Sequence, residues 1–328
     1  MDIKQKFLSG TLCSLAGVGL AACTSPPQNP NVIFILADDL GWTDLGCYGS
    51  NFYETPHIDG LASEGMRFTN AYTACPVSSP TRASYQTGKY PARLGITDFL
   101  MGRYFDPKKK AEMDRVCPVL PPALVPNLPL SEKTIGAAFR EKGYKTIHIG
   151  KWHCSRDSLH FPQHHGYDVN IAGCSKGLPG QAGYFSPYEN PVLSDGPDGE
   201  YLTDRLTDEC IQQIRNNKDR PFFINMHYYQ VHVPLMAKQE KIEYFKEKAR
   251  TMGLDSIKEF NRHIPWKDKV PFKVNMAQRL IHSHPVYAAM ISHMDDNIGR
   301  LVNELKENGV YDNTIIVFYS DNGGLAIG

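Results

Sequence analysis

Neither sign of charge is in excess in the 328-residue chain: lysine plus arginine total 35, aspartate plus glutamate total 35, and the formal net charge is zero. No block of basic residues stands out, so the electrostatic footprint of a nucleic-acid binder is missing. The short run Lys108-Lys109-Lys110 reads as a solvated loop. No pair of the eight cysteines has the CxxC spacing, which argues against a cysteine-bound zinc. Internal repeats and low-complexity segments are absent. With 41% hydrophobic and 21% charged residues, the composition is that of a globular body, not of a disordered chain or a coiled coil. The apolar stretch from Phe7 to Leu20 is too short and too interrupted to span a bilayer.

What is present begins with an export segment. Lys4 and Lys6 precede the Gly-rich apolar stretch, so residues 1–22 read as a secretory signal. Leu20-Ala21-Ala22-Cys23 resembles the bacterial lipobox, in which cleavage precedes a cysteine that then carries lipid. The expectation is an exported protein of the periplasm or outer membrane, held to the membrane by a lipid anchor on Cys23; a plain signal with an incidental Cys23 is the alternative. Residues 23–30 read as a stiff, extended tether, and residues 31–328 as the folded part. Six cysteines remain after Cys13 and Cys23 are set aside. Export permits disulfides among them, but spacing does not fix a pairing.

Four segments read as buried strands. Asn31 to Ala37 is a continuous apolar run of the kind buried on both faces in a parallel sheet. Lys145 to Ile149 follows a helical stretch from Ser131 to Lys142, Pro221 to Met226 follows one near Thr203 to Asn216, and Thr314 to Tyr319 follows one from Tyr287 to Asn308. Helix then buried strand, three times over, predicts an α/β fold with a mostly parallel central sheet flanked by helices. The charged stretch from Lys238 to Phe272 reads as an irregular insertion at the sheet's rim.

The residues after each strand carry the chemistry. Asp38-Asp39 follow the first, Lys151-Trp152-His153 the second, His227 through His232-Val233-Pro234 the third, and Asp321-Asn322 the fourth. Ligands of open α/β sheets bind outside the carboxyl ends of the strands. Asp38, Asp39, Asp321 and Asn322 are hard oxygen donors, suited to calcium or magnesium. Taken singly each has a bland reading as a helix cap or a turn; their shared position favours a metal edge. Of the 12 histidines, His57, His164, His165, His263, His282, His284 and His293 read as surface or satisfied core residues, and His227 as a weaker site candidate. Tyr85, Trp42, Trp152 and Trp266 read as packing residues.

Ser78-Ser79-Pro80-Thr81-Arg82, continuing to Thr87-Gly88, resembles the signature helix of the formylglycine-dependent sulfatases, arylsulfatase-like enzymes of the alkaline phosphatase superfamily. Ala37-Asp38-Asp39-Leu40-Gly41, Thr55-Pro56-His57-Ile58-Asp59, Gly150-Lys151-Trp152-His153, His232-Val233-Pro234 and Ser320-Asp321-Asn322-Gly323 resemble that family's further blocks, in order. The better-known signature begins with Cys, but Pro76 directly follows Cys75 and the spacing to Arg82 does not fit, whereas Ser78 has Pro80 and Arg82 at the right offsets.

The resemblance implies an alkaline-phosphatase-like fold and a catalytic part over residues 31–328. It implies that Ser78 is oxidised to formylglycine by a radical-type maturase, and that Asp38, Asp39, Asp321, Asn322 and the modified Ser78 hold a calcium ion, with magnesium possible. Arg82 would steady the formylglycine, Lys151 would bind sulfate, His153 would assist turnover of the aldehyde hydrate, and His232 would face the leaving oxygen. The substrate implied is a sulfated carbohydrate or aryl sulfate. Full-length relatives also carry a further sulfate-binding Lys and a smaller C-terminal sheet domain, and neither is expected within these 328 residues. Two other readings stand beside this one: a phosphodiesterase or phosphonate hydrolase of the same superfamily, and a non-catalytic binder of sulfated glycans.

Overall fold

Because Asn31–Ala37 has no charged residue and alternates apolar side chains to both sides, it can be buried on both faces, and it forms β1. The computed structural model describes residues 29–100, 105–116, 119–120, 122–180, 182–261 and 278–324. The signal, Cys23, most of the tether, Cys117, His263 and Trp266 lie outside the described residues.

Strands β1, β2 (Lys145–Gly150), β3 (Val169–Ile171), β4 (Phe222–His227) and β7 (Thr314–Ser320) form one five-stranded sheet in the order β3-β2-β4-β1-β7. All its pairings are parallel. A separate two-stranded ribbon joins β5 (Phe260–Asn261) to β6 (Gln278–Arg279). Strand β3 was not foreseen, since three half-buried residues make no apolar run.

The pleat sends alternate residues to opposite layers. Ile33, Ile35 and Ala37 of β1, with Ile147, Ile149, Phe222, Ile224 and Met226, join one core. That core includes Ile58 of α1 (Pro56–Glu64), Leu206 and Ile214 of α6 (Leu202–Asn217), Phe245 of α7 (Gln239–Thr251), and Met290, Met294 and Ile298 of α8 (Pro285–Glu307). On the other face Phe223, with Val32 and Phe34, packs on Ala83 of α2 (Ser78–Thr87), Leu94 of α3 (Pro91–Leu94), and Ile135 and Phe139 of α5 (Ile135–Glu141). The result is helix, sheet, helix, the arrangement that buries a parallel sheet on both sides.

Four expectations are corrected. Lys108-Lys109-Lys110 lies in a helix, α4 (Pro107–Val116), not a loop; the three side chains stay in solvent and Lys110 pairs with Asp114 one turn on. The stretch after Lys238 is not irregular over its first part: α7 buries Phe245 and Ala249, and Phe245 stacks edge-on with Phe52 at 5.8 Å. One such ring contributes about 1.5–3 kcal/mol by burial, enough to dock an otherwise charged helix. The helix before β2 is shorter than the pattern suggested, starting where the Thr134 side chain accepts the Ala137 N–H. Strand β7 is not buried on both faces: Ile315 is 51% and Val317 36% exposed, because the face they share is left uncovered at this edge, while Ile316 and Phe318 pack on the core.

Cys47, Cys75, Cys154, Cys174 and Cys210 are all free thiols. No helix among the described residues is long and apolar enough to cross a membrane.

Asp204, in the first turn of α6, ties the helical layer together. It accepts from His293 Nε2 (2.9 Å) and Asn297 Nδ2 (2.8 Å) of α8 and from Lys238 Nζ (2.8 Å) ahead of α7. Burial pushes its carboxyl upward, but His293, Lys238 and Asn297 outweigh that and hold it well below the ordinary range. A depressed carboxylate adds stability above its unfolded pKa and loses it as pH falls. Asp204→Asn is therefore expected to lower Tm by roughly 2–4 °C near neutrality and to flatten the acid limb below about pH 4, measured by thermal melts across pH.

Candidate active site

The four adjacent strands β2-β4-β1-β7 deliver their carboxyl ends to one edge. The ladder continues past them: Asp38 N–H donates to Gln230 O (2.7 Å), Val231 N–H to Asp38 O (2.6 Å), Asp321 N–H to Ala37 O (3.1 Å) and Lys151 N–H to His227 O (2.9 Å). These bonds draw the loops after β1, β2, β4 and β7 into one layer. Helix α2 enters from the other face with Ser78 as its first residue, where unpaired amide groups favour an anion. Gly88, at φ 68°, closes that helix by donating to Ser84 O.

Ser78 Oγ lies 3.1 Å from Asp38 Oδ1, 3.5 Å from Asn322 Oδ1 and 3.3 Å from Lys151 Nζ. Lys151 Nζ donates to both Asp38 oxygens, at 2.8 and 2.6 Å. Arg82 Nε donates to Asp321 Oδ2 at 2.9 Å, and its Nη2 lies 3.4 Å from Asp38 Oδ1. Asp321 Oδ1 accepts the Asp39 N–H (3.1 Å), and Asn322 Nδ2 donates to Asp39 Oδ1 (2.6 Å). His232 Nε2 is 3.6 Å from Asp39 Oδ2. Every sequence-predicted site residue except His153 is thus linked to another by a named contact, and His153 lies buried two residues past Lys151 with its Nδ1 unpartnered.

Two of these residues sit in left-handed backbone: Asp39 at φ 59° and His153 at φ 52°. Such conformations cost about 1–3 kcal/mol each and cluster at functional sites. The His153 ring lies so close to Gly177 that a Cβ there would approach its carbon and nitrogen atoms to 2.4 Å.

Three carboxylates, from Asp38, Asp39 and Asp321, place ligand atoms within 4.8 Å of one another, all buried. Arg82 and Lys151 supply two positive charges against three negative ones. Burial pushes the Asp38 carboxyl well up; Lys151 and Arg82 offset this in part, while Asp321 and Asp39 reinforce it. For Asp321 burial also acts upward, yet Arg82 and Lys151 prevail and hold it below the ordinary range. A buried cluster one negative charge over neutrality, with oxygen donors only, fits a hard divalent cation. Burial, then Lys151 and Arg82, push His153 well below its usual value, so its ring is neutral at physiological pH.

Trp152 is fully buried, as a packing residue should be, but Trp42 is 74% exposed, which corrects its reading as a packing residue. Tyr85 stacks on Phe34 at 4.1 Å and is a packing residue. His165 is buried with neither ring nitrogen partnered, so it is not the satisfied residue expected; His293 is half satisfied, with Nε2 on Asp204 and Nδ1 buried without a partner. His227 sits directly behind Arg82 and Lys151; the only sequence signal for it was its place at the end of a buried strand.

Gly150 fixes the exit of β2. Its φ is 94° and a Cβ there would lie 1.9 Å from His227 O. Gly143, at φ 82° with nothing within 4 Å, meets only the backbone penalty. Gly150→Ala is expected to cost well beyond the roughly 1–2 kcal/mol of a left-handed residue, and Gly143→Ala no more than that. Parallel urea titrations of the two variants check this ordering.

A family model described as Sulfatase matches residues 30–326. The chain is 30% identical over 311 residues to human N-acetylgalactosamine-6-sulfatase, a match covering 92% of this chain and 51% of that protein. Ps i-CgsB, solved in complex with k-i-k-neocarrahexaose, superposes with a TM-score of 0.65 at 32% identity, covering 90% of this chain and 59% of that one. BT4656, solved with D-glucosamine-2-N,6-O-disulfate, gives 0.62 at 25% identity, covering 90% and 66%. The chain spans about half the length of the curated relatives it matches. With the parallel sheet, the signature helix and the carboxylate edge in place, this chain belongs to the sulfatase family of the alkaline phosphatase superfamily.

Proposed function

We propose that the protein hydrolyses sulfate monoesters of carbohydrates, using a formylglycine made from Ser78. The observation that carries this reading is the placement of Ser78 Oγ at a helix N-terminus, within reach of Asp38, Asn322 and Lys151 in a buried, anion-rich edge. Support for a carbohydrate substrate comes from a relative named N-acetylgalactosamine-6-sulfatase and from relatives solved with k-i-k-neocarrahexaose or D-glucosamine-2-N,6-O-disulfate.

Oxidation of Ser78 removes two hydrogens from its CH₂OH group and needs an external oxidising enzyme, which we assign to a radical-type maturase. The aldehyde adds water to give two hydroxyls on one carbon. One gives its proton to the neighbouring Asp38 carboxylate and attacks sulfur as the alcohol leaves; the other then loses its proton as the C–O bond to sulfate breaks, restoring the aldehyde. An unmodified serine would end as a stable sulfate ester. Asp38, Asp39, Asp321, Asn322 and residue 78 would hold a divalent cation, which we assign as calcium, and when bound it would offset the charge of the sulfate. Lys151 would grip a sulfate oxygen, and Arg82 would hold Asp38 and Asp321 in place. Neutral His153 would take the proton of the second hydroxyl, and His232, at the rim beside Asp39, would protonate the departing alcohol.

The lipid anchor on Cys23 and residence in the periplasm or outer membrane belong to the same proposal, resting on the lipobox-like segment. Mass spectrometry of the tryptic peptide from Phe68 to Arg82, from protein co-expressed with a maturase, tests the central step. The expected mass is lower by two hydrogens; an intact serine under maturing conditions overturns the mechanism. Side-by-side turnover of an aryl sulfate and an aryl phosphate diester separates the sulfatase from its phosphoryl-transfer relatives.

A further inference from the structure

Lys151 is the only side chain in the cluster that touches both Asp38 oxygens and Ser78, so the placement of its peptide decides where its ammonium lies. One residue holds that peptide at both ends. His227 O accepts the Lys151 N–H at 2.9 Å, and His227 Nδ1 lies 3.0 Å from Lys151 O. Arg82 Nη1 completes the triangle, 3.1 Å from the same carbonyl and 3.2 Å from the same ring nitrogen.

The tautomer follows from the surroundings. His227 is fully buried, and its Nε2 has no partner. A proton on Nε2 would let Nδ1 accept from Arg82 Nη1 but would leave a buried donor orphaned and Lys151 O without the ring; a proton on Nδ1 gives up that Arg82 bond, is received by Lys151 O and leaves Nε2 as a bare lone pair, the cheaper omission. Burial first, then the neighbouring His148 and Arg82, keep the ring neutral. On that assignment Lys151 O accepts from two side chains, one on the signature helix and one on β4. The His148 and Tyr85 rings, at 5.1 and 5.6 Å, pack against the imidazole and limit its rotation.

We propose that His227, as the Nδ1–H tautomer, is a positioning residue that clamps the Lys151 peptide against Arg82 and so sets where the Lys151 ammonium meets residue 78. It touches neither substrate nor the reacting atoms. Its effect on turnover rests on the sulfatase reading; the tautomer and the clamp do not.

The test uses the matured full chain with three variants. Asn carries its amide nitrogen at the same distance from the backbone as Nδ1, Gln carries it at the reach of Nε2, and Leu carries none. His227→Leu and His227→Gln are expected to lose about 10–100-fold in kcat/KM, while His227→Asn recovers most of it, with the three melting at similar temperatures. Equal loss in Asn and Leu, or wild-type activity in Leu, overturns the clamp. Nitrogen-15 NMR of ring-labelled protein, assigned by the signal missing in His227→Asn, should show a protonated Nδ1 and a bare Nε2. The opposite tautomer overturns the proposal even if the wild type proves inactive on sulfate esters, an outcome that would sink the functional reading instead.

Discussion

Ser78→Ala is expected to leave a folded chain whose turnover of sulfate esters falls by up to about 10⁶-fold, the scale on which loss of a covalent nucleophile is felt when its partners act as a unit. The fold should survive. The substitution deletes one oxygen with contacts to Asp38, Asn322 and Lys151, while both Lys151–Asp38 bonds and the Arg82–Asp321 bond remain. A lost hydrogen bond to a charged partner costs about 1.5–3 kcal/mol, short of the stability of a folded domain. Steady-state kinetics on an aryl sulfate, paired with a thermal melt, separates the two effects. A variant keeping a tenth or more of wild-type turnover would remove Ser78 from the chemistry altogether.

Arg82→Leu should do the reverse, striking stability first. The guanidinium is fully buried and holds Asp321 and Asp38 together with the Lys151 carbonyl. Its loss leaves three buried carboxylates facing a single ammonium. Breaking a buried pair by removing one partner costs about 3–5 kcal/mol, which corresponds to a Tm drop of roughly 10 °C in a chain of this size. Arg82→Lys should fall between, keeping the charge without the planar fork. Calcium is expected to restore part of the loss, since a cation at 100 times its Kd adds about 2.7 kcal/mol to the native state. Thermal melts with calcium and with chelator check both points. An Arg82→Leu protein that melts within about 2 °C of wild type would show that the charges there are not coupled as described.

How much of this could be read from the chain alone differs by element. The runs behind β1 and β4 are mostly apolar and uncharged because those strands are covered on both faces, and β2, though it begins at Lys145, stood out by Ile147 and Ile149 after a helical stretch. β7 stood out equally, yet lies at the edge with Ile315 and Val317 in solvent; an apolar run reports hydrophobicity, not which neighbour covers it. β3 and α7 were missed for opposite reasons. Val169–Ile171 is too short to carry a pattern, and α7 is so rich in charge that its two buried anchors, Phe245 and Ala249, do not set the period. The carboxylates after β1 and β7 and the signature helix were legible because their chemistry is local to a strand end or a helix start. His227 was legible only as a weaker candidate, since its meaning depends on Arg82 and Lys151, which lie far away in sequence.

The hydrogen-bond ladder that runs on past the strand ends has a consequence for how the site can fail. Asp38 is stitched to Gln230 and Val231 on one side, and the strand carrying it to Asp321 on the other, by main-chain bonds continuous with those of the central sheet. Loosening this edge therefore means peeling the middle strand from both neighbours, so the working geometry and the most protected amides should open as one cooperative unit. A protein built this way has little intermediate ground between an assembled site and an unfolded sheet.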